Sequence, residues 1–438
     1  MLAFKRSTTA WFMVLSIGSQ SLNSFAAETL TVMTSYSEEV VSRFEEAFEK
    51  SHPDIQLQIL WRRSHDALNY LQQAQSNNVD VYWTPAPENF LKLKAQKQFA
   101  PLKLDRTDLP TQLKDSLLAD PDGFYTAHET AGYGLFVNPE ALKQLGVNEP
   151  STWQDLSNPQ LQGKVILPVP SKVGYAPMLT DQLLQHAGWQ AGWNTWQAIA
   201  ANSQLVQQRG NFVTEEVTSG RAAVGLTMDF FAASTIASGG IGKFIYPRQT
   251  AFNPAHIAIF AKSQHPQAAQ QFVDFILSDA GQTLLFNPAI RKLPVRPSVY
   301  THAPVGYTNP FTLAVSAQYD PNKGIQRFAL TNALFDAAIT RPHTALIVAA
   351  QAIHAASKVV TPLTQAKLDE AKAAFNALPI PELAGDDALV LACKQRELTN
   401  TDNATNACNQ AKQAWDRFFA ANYAKAKQLA DEVVQAKP

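Results

Sequence analysis

Cysteine is scarce in this sequence: Cys393 and Cys408 are the only two in 438 residues. Charge of one sign is missing too. Lys and Arg total 36, Asp and Glu total 37, and the formal net charge is −1. With no basic excess, the electrostatic footprint of a nucleic-acid-binding protein is absent. Beyond the N-terminus no apolar run approaches the ~20 residues a membrane span needs. There is no G-x-S-x-G elbow, H-E-x-x-H pair, P-loop or dinucleotide fingerprint, so the common hydrolase, zincin and nucleotide-dependent chemistries have no motif to rest on. A Ser–His–Asp site assembled from distant residues stays open at this level. Internal repeats and long low-complexity tracts are also lacking.

The first residues have the form of a secretory signal. Lys5 and Arg6 form the positive region, AWFMVLSIG from Ala10 the apolar core, and Ser24-Phe25-Ala26 a small-residue cleavage site. Residues 1–26 are therefore expected to be removed, leaving 34 basic against 37 acidic residues. No cysteine follows the cleavage point to carry a lipid. A periplasmic, monomeric protein not embedded in the membrane is expected. In that oxidising compartment Cys393 and Cys408 should pair across KQRELTNTDNATNA, since no histidine lies near enough to make them a metal pair.

At 438 residues the chain is too long for one ordinary core. From Thr29 to about Lys262 strand-like and helix-like runs alternate. LTVM precedes a helix from Glu38, QLQILW precedes HDALNYLQQAQ, and VDVYWT precedes ENFLKLKAQ. YGLFVN, KVILPVP, AAVGLT and HIAIFA follow, with one long helical stretch reaching Trp196. This order predicts an α/β fold with a largely parallel sheet. Pro294 to Asn322 reads as a linker. From about Ile325 the pattern is helical throughout, broken at Pro342, Pro362 and Pro379 to Pro381.

PSTWQDLSNPQLQGKVILPVP (Pro150 to Pro170) and HPQAAQQFVDFILSDAGQTLL (from His265) resemble bacterial periplasmic solute-binding proteins of ABC transporters, in the iron(III)- and organophosphonate-type subgroup. The resemblance covers about residues 29 to 300. It implies a type II fold, two α/β lobes hinged around a ligand cleft, here with a helical C-terminal extension. Mapped onto this chain, one lobe is 27–131 plus 254–300, the other 132–253, and the extension 305–438. Iron binding in the subgroup relies on an adjacent tyrosine pair. The matching stretch, GLTMDFFA, carries Phe230-Phe231, and phenylalanine has no oxygen to ligate iron.

The resemblance and the residues together point to a small anion, phosphorylated or a carboxylate, and to no cofactor or metal. Helix starts carry free N–H groups and partial positive charge. Two are expected to face the cleft: TSYSEE with Ser35, Tyr36 and Ser37, and PSKVGY with Ser171 and Lys172. WRRSHD adds Arg62, Arg63 and Ser64, and arginine's planar fork suits phosphate or carboxylate. Thr84 stands at a strand end. Asp229 offers a ligand contact or a hinge lock, and Arg248 a contact near the return crossover. Ser35 with Glu38 also spells a capping box, Ser37 alone suffices as a cap, and the arginines fit a solvated surface. Two outlets for a bound ligand follow: delivery to an ABC permease, or presentation of a metabolite such as phosphoglycerate to a membrane sensor kinase. The extension is either the partner surface or a buttress for one lobe.

Overall fold

A computed structural model describes residues 27–71, 78–114, 116–207, 211–315, 319–399 and 406–436. The predicted signal segment lies outside them. The first lobe opens with β1 (Glu28–Thr34), α1 (Glu38–Ser51), β2 (Ile55–Trp61), α2 (Ser64–Leu71), β3 (Val81–Thr84) and α3 (Pro87–Ala95). Short strands β4 (Phe99–Ala100), β5 (Gln112–Leu113) and β6 (Ser116–Leu117) lead to the long β7 (Thr126–Val137). The second lobe continues with α4 (Pro139–Gln144), β8 (Val165–Pro168), α5 (Ala176–Ala187), α6 (Trp189–Ala201), β9 (Ser203–Val206), α7 (Phe212–Thr218), β10 (Val224–Met228), α8 (Asp229–Ala237) and β11 (Lys243–Ile245). The chain returns through β12 (Phe252–Phe260), α9 (Pro266–Leu277), α10 (Asp279–Leu284) and β13 (Leu293–Pro294).

The strands run in the order β2-β1-β3-β12-β7-β10-β8-β9. Pairs β1–β2, β1–β3, β8–β10 and β8–β9 are parallel, whereas β12 and β7 run antiparallel to their neighbours. The strand read at YGLFVN is only the second half of β7, which begins at Thr126, ends at Val137 and is buried at all twelve positions. Its first half pairs with β12 and β13, its second half with β10 and β11. One strand therefore belongs to both lobes. Two apolar clusters fill the first lobe, one around Phe44, Trp83 and Phe272, the other around Tyr82 and Phe90.

The long helical stretch expected through Trp196 is two helices. Gly188, at φ 82°, ends α5 and turns the chain into α6. A side chain there would be strained in this left-handed backbone. The stretch expected as a linker also packs. Tyr307, Phe311, Leu313 and Val315 lie against the first-lobe core, and the Tyr307 hydroxyl donates to the Lys292 carbonyl at 2.7 Å.

The C-terminal helices are α11 (Pro321–Phe335), α12 (His343–Ser357), α13 (Gln365–Phe375), α14 (Ala388–Thr399) and α15 (Ala407–Gln435). Asp320 caps α11 by accepting from the N–H groups of Asn322 and Lys323. Apart from a small cluster of Ala356, Leu368, Ala371, Ala430 and Val433, the core of these helices is continuous with that of the second lobe. Trp193 and Trp196 of α6 share one cluster with Leu334, Phe335, Phe419 and Tyr423. Arg327, 2% exposed, donates to Asp181 of α5 at 2.6 Å and also pairs with Glu382. Cys393 and Cys408 form the expected disulfide within the same cluster. The extension buttresses the second lobe from inside its core.

Candidate functional site

A cleft of about 460 Å³ opens between the lobes. Its second-lobe wall is built at the end of β8, where Val169 to Tyr175 turn into α5. The Val169 carbonyl accepts from Lys172 and Val173. The N–H groups of Gly174 and Tyr175 meet no acceptor among the described residues, and both residues line the cleft. No acidic side chain occupies the first turn of α5, so the positive end of the helix is uncompensated. Lys172 lines the same wall and is exposed. The Tyr175 hydroxyl is turned away, donating to the Leu226 carbonyl at 3.2 Å.

The facing wall carries Glu129 and Ala131 of β7, Asn253 and Ala255 of β12, Pro85, and Lys292. Lys292 Nζ lies 3.2 Å from Glu129 Oε1, with both side chains nearly buried. The Tyr36 hydroxyl donates to the same oxygen at 2.7 Å and sits 3.2 Å from His128 Nε2. Burial, then the nearby Glu129 charge, pushes the Tyr36 phenol well above its ordinary pKa, and burial holds His128 well below its own. Tyr36 therefore stays a donor and His128 stays neutral. They orient Glu129 without adding charge.

Phe230 and Phe231 open α8 and cover the cleft from the second lobe, with Lys292 Nζ 3.8 Å from the centre of the Phe230 ring. Asp229 is buried just behind them. Its Oδ2 accepts from the Gly132 N–H at 2.6 Å and the Tyr246 hydroxyl at 2.8 Å, and its Oδ1 from the Phe230 N–H at 2.7 Å. Gly132 stands where the two halves of β7 meet, and a Cβ there would press into the Tyr246 ring at 2.5 Å. Burial raises the Asp229 pKa to about 6, against the opposing pull of its donors and Lys292. Asp229 thereby ties the midpoint of β7 to the start of α8 and to Tyr246.

The remaining sequence candidates divide. Ser35 Oγ and Thr84 Oγ1 are 2.5 Å apart, joining the ends of two neighbouring strands beside cleft-lining Pro85. The capping box expected of Ser35 and Glu38 does not form. Helix α1 starts at Glu38 itself, which makes Ser37 the cap position, and Ser37 caps through its backbone carbonyl, with no side-chain bond. Glu38 and Glu39 occupy the first turn, so this helix start already has its counter-charge. Ser37 and Tyr36 line a separate hollow of about 610 Å³ beside α1. Arg62 donates to the Trp61 carbonyl and lies over Tyr70, Arg63 pairs with Asp66, and the Ser64 carbonyl accepts from Asn89. Ser171 stands at the rim and donates to Asp336 of the extension at 3.1 Å. Arg248 is exposed, its N–H bonded to the Ser151 carbonyl. The structure thus gathers Lys172, Asp229 and, through Glu129, Tyr36 around the cleft. Arg62, Arg63, Ser64 and Arg248 are not among its lining. Glu129, Asn253 and Lys292 carried no sequence signal; a lone Lys between Arg291 and Leu293 looks like any surface charge.

Two lobes joined through one shared strand, β7, with a cleft between them that mixes apolar side chains with Glu129, Lys172, Asn253 and Lys292, define the periplasmic type II fold. Residues 79–308, just over half of the chain, match the family of bacterial extracellular solute-binding proteins. The chain belongs to that family. It is 25% identical over 368 residues to the phosphoglycerate transport regulatory protein PgtC of Salmonella typhimurium, spanning 83% of this chain and 89% of that one. Among solved structures it is similar to the periplasmic binding protein AfuA from Actinobacillus pleuropneumoniae with exogenous fructose-6-phosphate bound (TM-score 0.57, 19% identity, 70% of this chain and 98% of that one). It is also similar to iron-bound HitA from Pseudomonas aeruginosa (TM-score 0.55, 18% identity, 66% and 92%).

Proposed function

We propose that this solute-binding protein captures a small anionic metabolite, a phosphate ester or carboxylate, in the periplasm and hands it to an ABC permease. One observation carries the reading. The acid-free start of α5 carries the unpaired N–H groups of Gly174 and Tyr175, two residues that line the cleft, with Lys172 beside them and Lys292 on the opposite wall. Backbone donors at a helix start, flanked by ammonium groups, are a seat for phosphate or carboxylate oxygens. The Phe230–Phe231 surface then covers a carbon skeleton.

Sensing is the second reading. It is supported by the regulatory role in the name of the Salmonella relative and by the extension's union with one lobe of the cleft. Iron is less well supported, although HitA binds it. At the position where the resemblance places a tyrosine pair stand two phenyl rings, and the hydroxyls of Tyr36 and Tyr175 are already engaged.

The test is thermal-shift screening of the mature chain with phosphoglycerates, other phosphate esters, phosphonates and iron(III). A ligand at 100 times its Kd stabilises by about 2.7 kcal/mol. A clear shift with iron(III) and none with any anion overturns the reading.

A further inference from the structure

The extension meets the rim of the cleft at Ser171, a contact that neither the fold family nor the lining explains. Between α11 and α12 the helix widens into a π-helical turn, Asp336–Thr340. Such turns are rare and often sit at functional sites. This one is held from behind. Ala337, Ala338 and Ile339 are fully buried, and the Tyr423 hydroxyl donates to the Ala338 carbonyl at 2.8 Å. From this rigid base the Asp336 carboxylate reaches the rim of the cleft and accepts from Ser171 Oγ at 3.1 Å. Ser171 is exposed and directly precedes Lys172 and the two free N–H groups. Further along, α5 is fixed to the same helices. Gln185 exchanges two hydrogen bonds with Asp320, at 2.8 and 2.9 Å, and Asp181 takes the buried Arg327.

We infer that Asp336 is a positioning residue for ligand capture: through Ser171 it holds the Ser171–Tyr175 turn so that the Gly174 and Tyr175 N–H groups face the cleft. The extension thereby acts on affinity without touching the ligand. The inference rests on the anion seat proposed above, and its test separates the two.

Asp336→Ala, Asp336→Asn, Ser171→Ala and the double alanine variant are made in the full mature chain. Hydrogen exchange of the ligand-free proteins is followed for peptides covering residues 169–176. Titration calorimetry follows 3-phosphoglycerate, or whichever phosphate ester gives the thermal shift. Asp336→Ala and Ser171→Ala should each speed exchange in this turn and weaken binding about fivefold to tenfold, the range expected for losing one ordinary solvent-exposed hydrogen bond. The double variant should lose no more than either single one. Asp336→Asn, whose amide oxygen still accepts, should bind within about twofold of the native protein. A purely structural role predicts a lower melting temperature with unchanged affinity. Unchanged exchange in the turn overturns the inference whatever the ligand, and so does faster exchange with unchanged affinity. If Lys172→Ala also leaves affinity unchanged, the seat itself is wrong.

Discussion

Lys292 of the first lobe rests its ammonium 3.8 Å from the centre of the Phe230 ring of the second. The same ammonium holds Glu129 at 3.2 Å. One cation thus joins the two walls of the cleft and neutralises the carboxylate in one of them. A partly desolvated cation over an aromatic face gains roughly 1–2 kcal/mol.

Lys292→Met should damage both stability and capture. Glu129, 2% exposed, would lose its cation, at a cost on the order of 3 kcal/mol. Its uncompensated charge would then repel an anionic ligand, and affinity for a phosphate ester should fall at least about tenfold, about 1.4 kcal/mol. Adding Glu129→Gln should restore much of the stability and relieve the repulsion, leaving only the part of the affinity loss that the Lys292 charge itself accounts for. Urea unfolding and calorimetric titration of the single and double variants measure the two effects separately.

The disulfide offers a second prediction. Its cysteines stand 15 apart in sequence, and closing a loop of that size contributes about 3 kcal/mol in the chain-entropy model. Both cysteines lie in the core shared by the extension and the second lobe. Cys393→Ser with Cys408→Ser, or reduction, should lower the thermal midpoint of the ligand-free protein. At low temperature, ligand affinity should stay within about twofold of the native value.

Acid sensitivity should trace in part to His256. The ring is buried between Phe90 and Tyr125, has an unpartnered Nδ1, and its pKa is pushed down to about 3 by burial. A depressed pKa means that the unfolded chain binds the proton first. The contribution is therefore present above pH ~6.5 and is lost as pH falls toward 3. His256→Phe should flatten the loss of stability between pH 7 and pH 4 in urea titrations while keeping pH 7 stability. Asp229 works with the opposite sign. Raised to about 6, its contribution is present below its ordinary pKa and fades as pH rises through 6.

The Arg327–Asp181 pair should respond unequally to single and double replacement. Both side chains are at most 2% exposed. Arg327→Met strands Asp181 in the core and should cost roughly 3–5 kcal/mol. Arg327→Met combined with Asp181→Leu should recover most of it. A double variant as unstable as the single one would show that the pair contributes more than mutual neutralisation.

Alternation of apolar runs revealed the βαβ order, the turn from Pro170 to Tyr175 and the helical C-terminus, because each is written in neighbours three or four residues apart. Lys172 was visible for the same reason. Lys292 and Glu129 were not, since they meet across 163 positions and nothing local marks a lysine as buried. The Ser35–Glu38 box misled because it would start the helix at Tyr36, two residues before the actual start at Glu38. Arg62 and Arg63 look like anion ligands by type, but short-range partners, Trp61 and Asp66, take their donors. Gly188 was hidden inside a run whose periodicity continues on both sides of the break.

The single core that joins the extension to the second lobe has a mechanical meaning. Helix α15, with 29 residues, is about 44 Å long and is fused to that core through Trp415, Phe419 and Tyr423. Any rotation of the second lobe about the shared strand β7 carries the helix with it as a rigid arm.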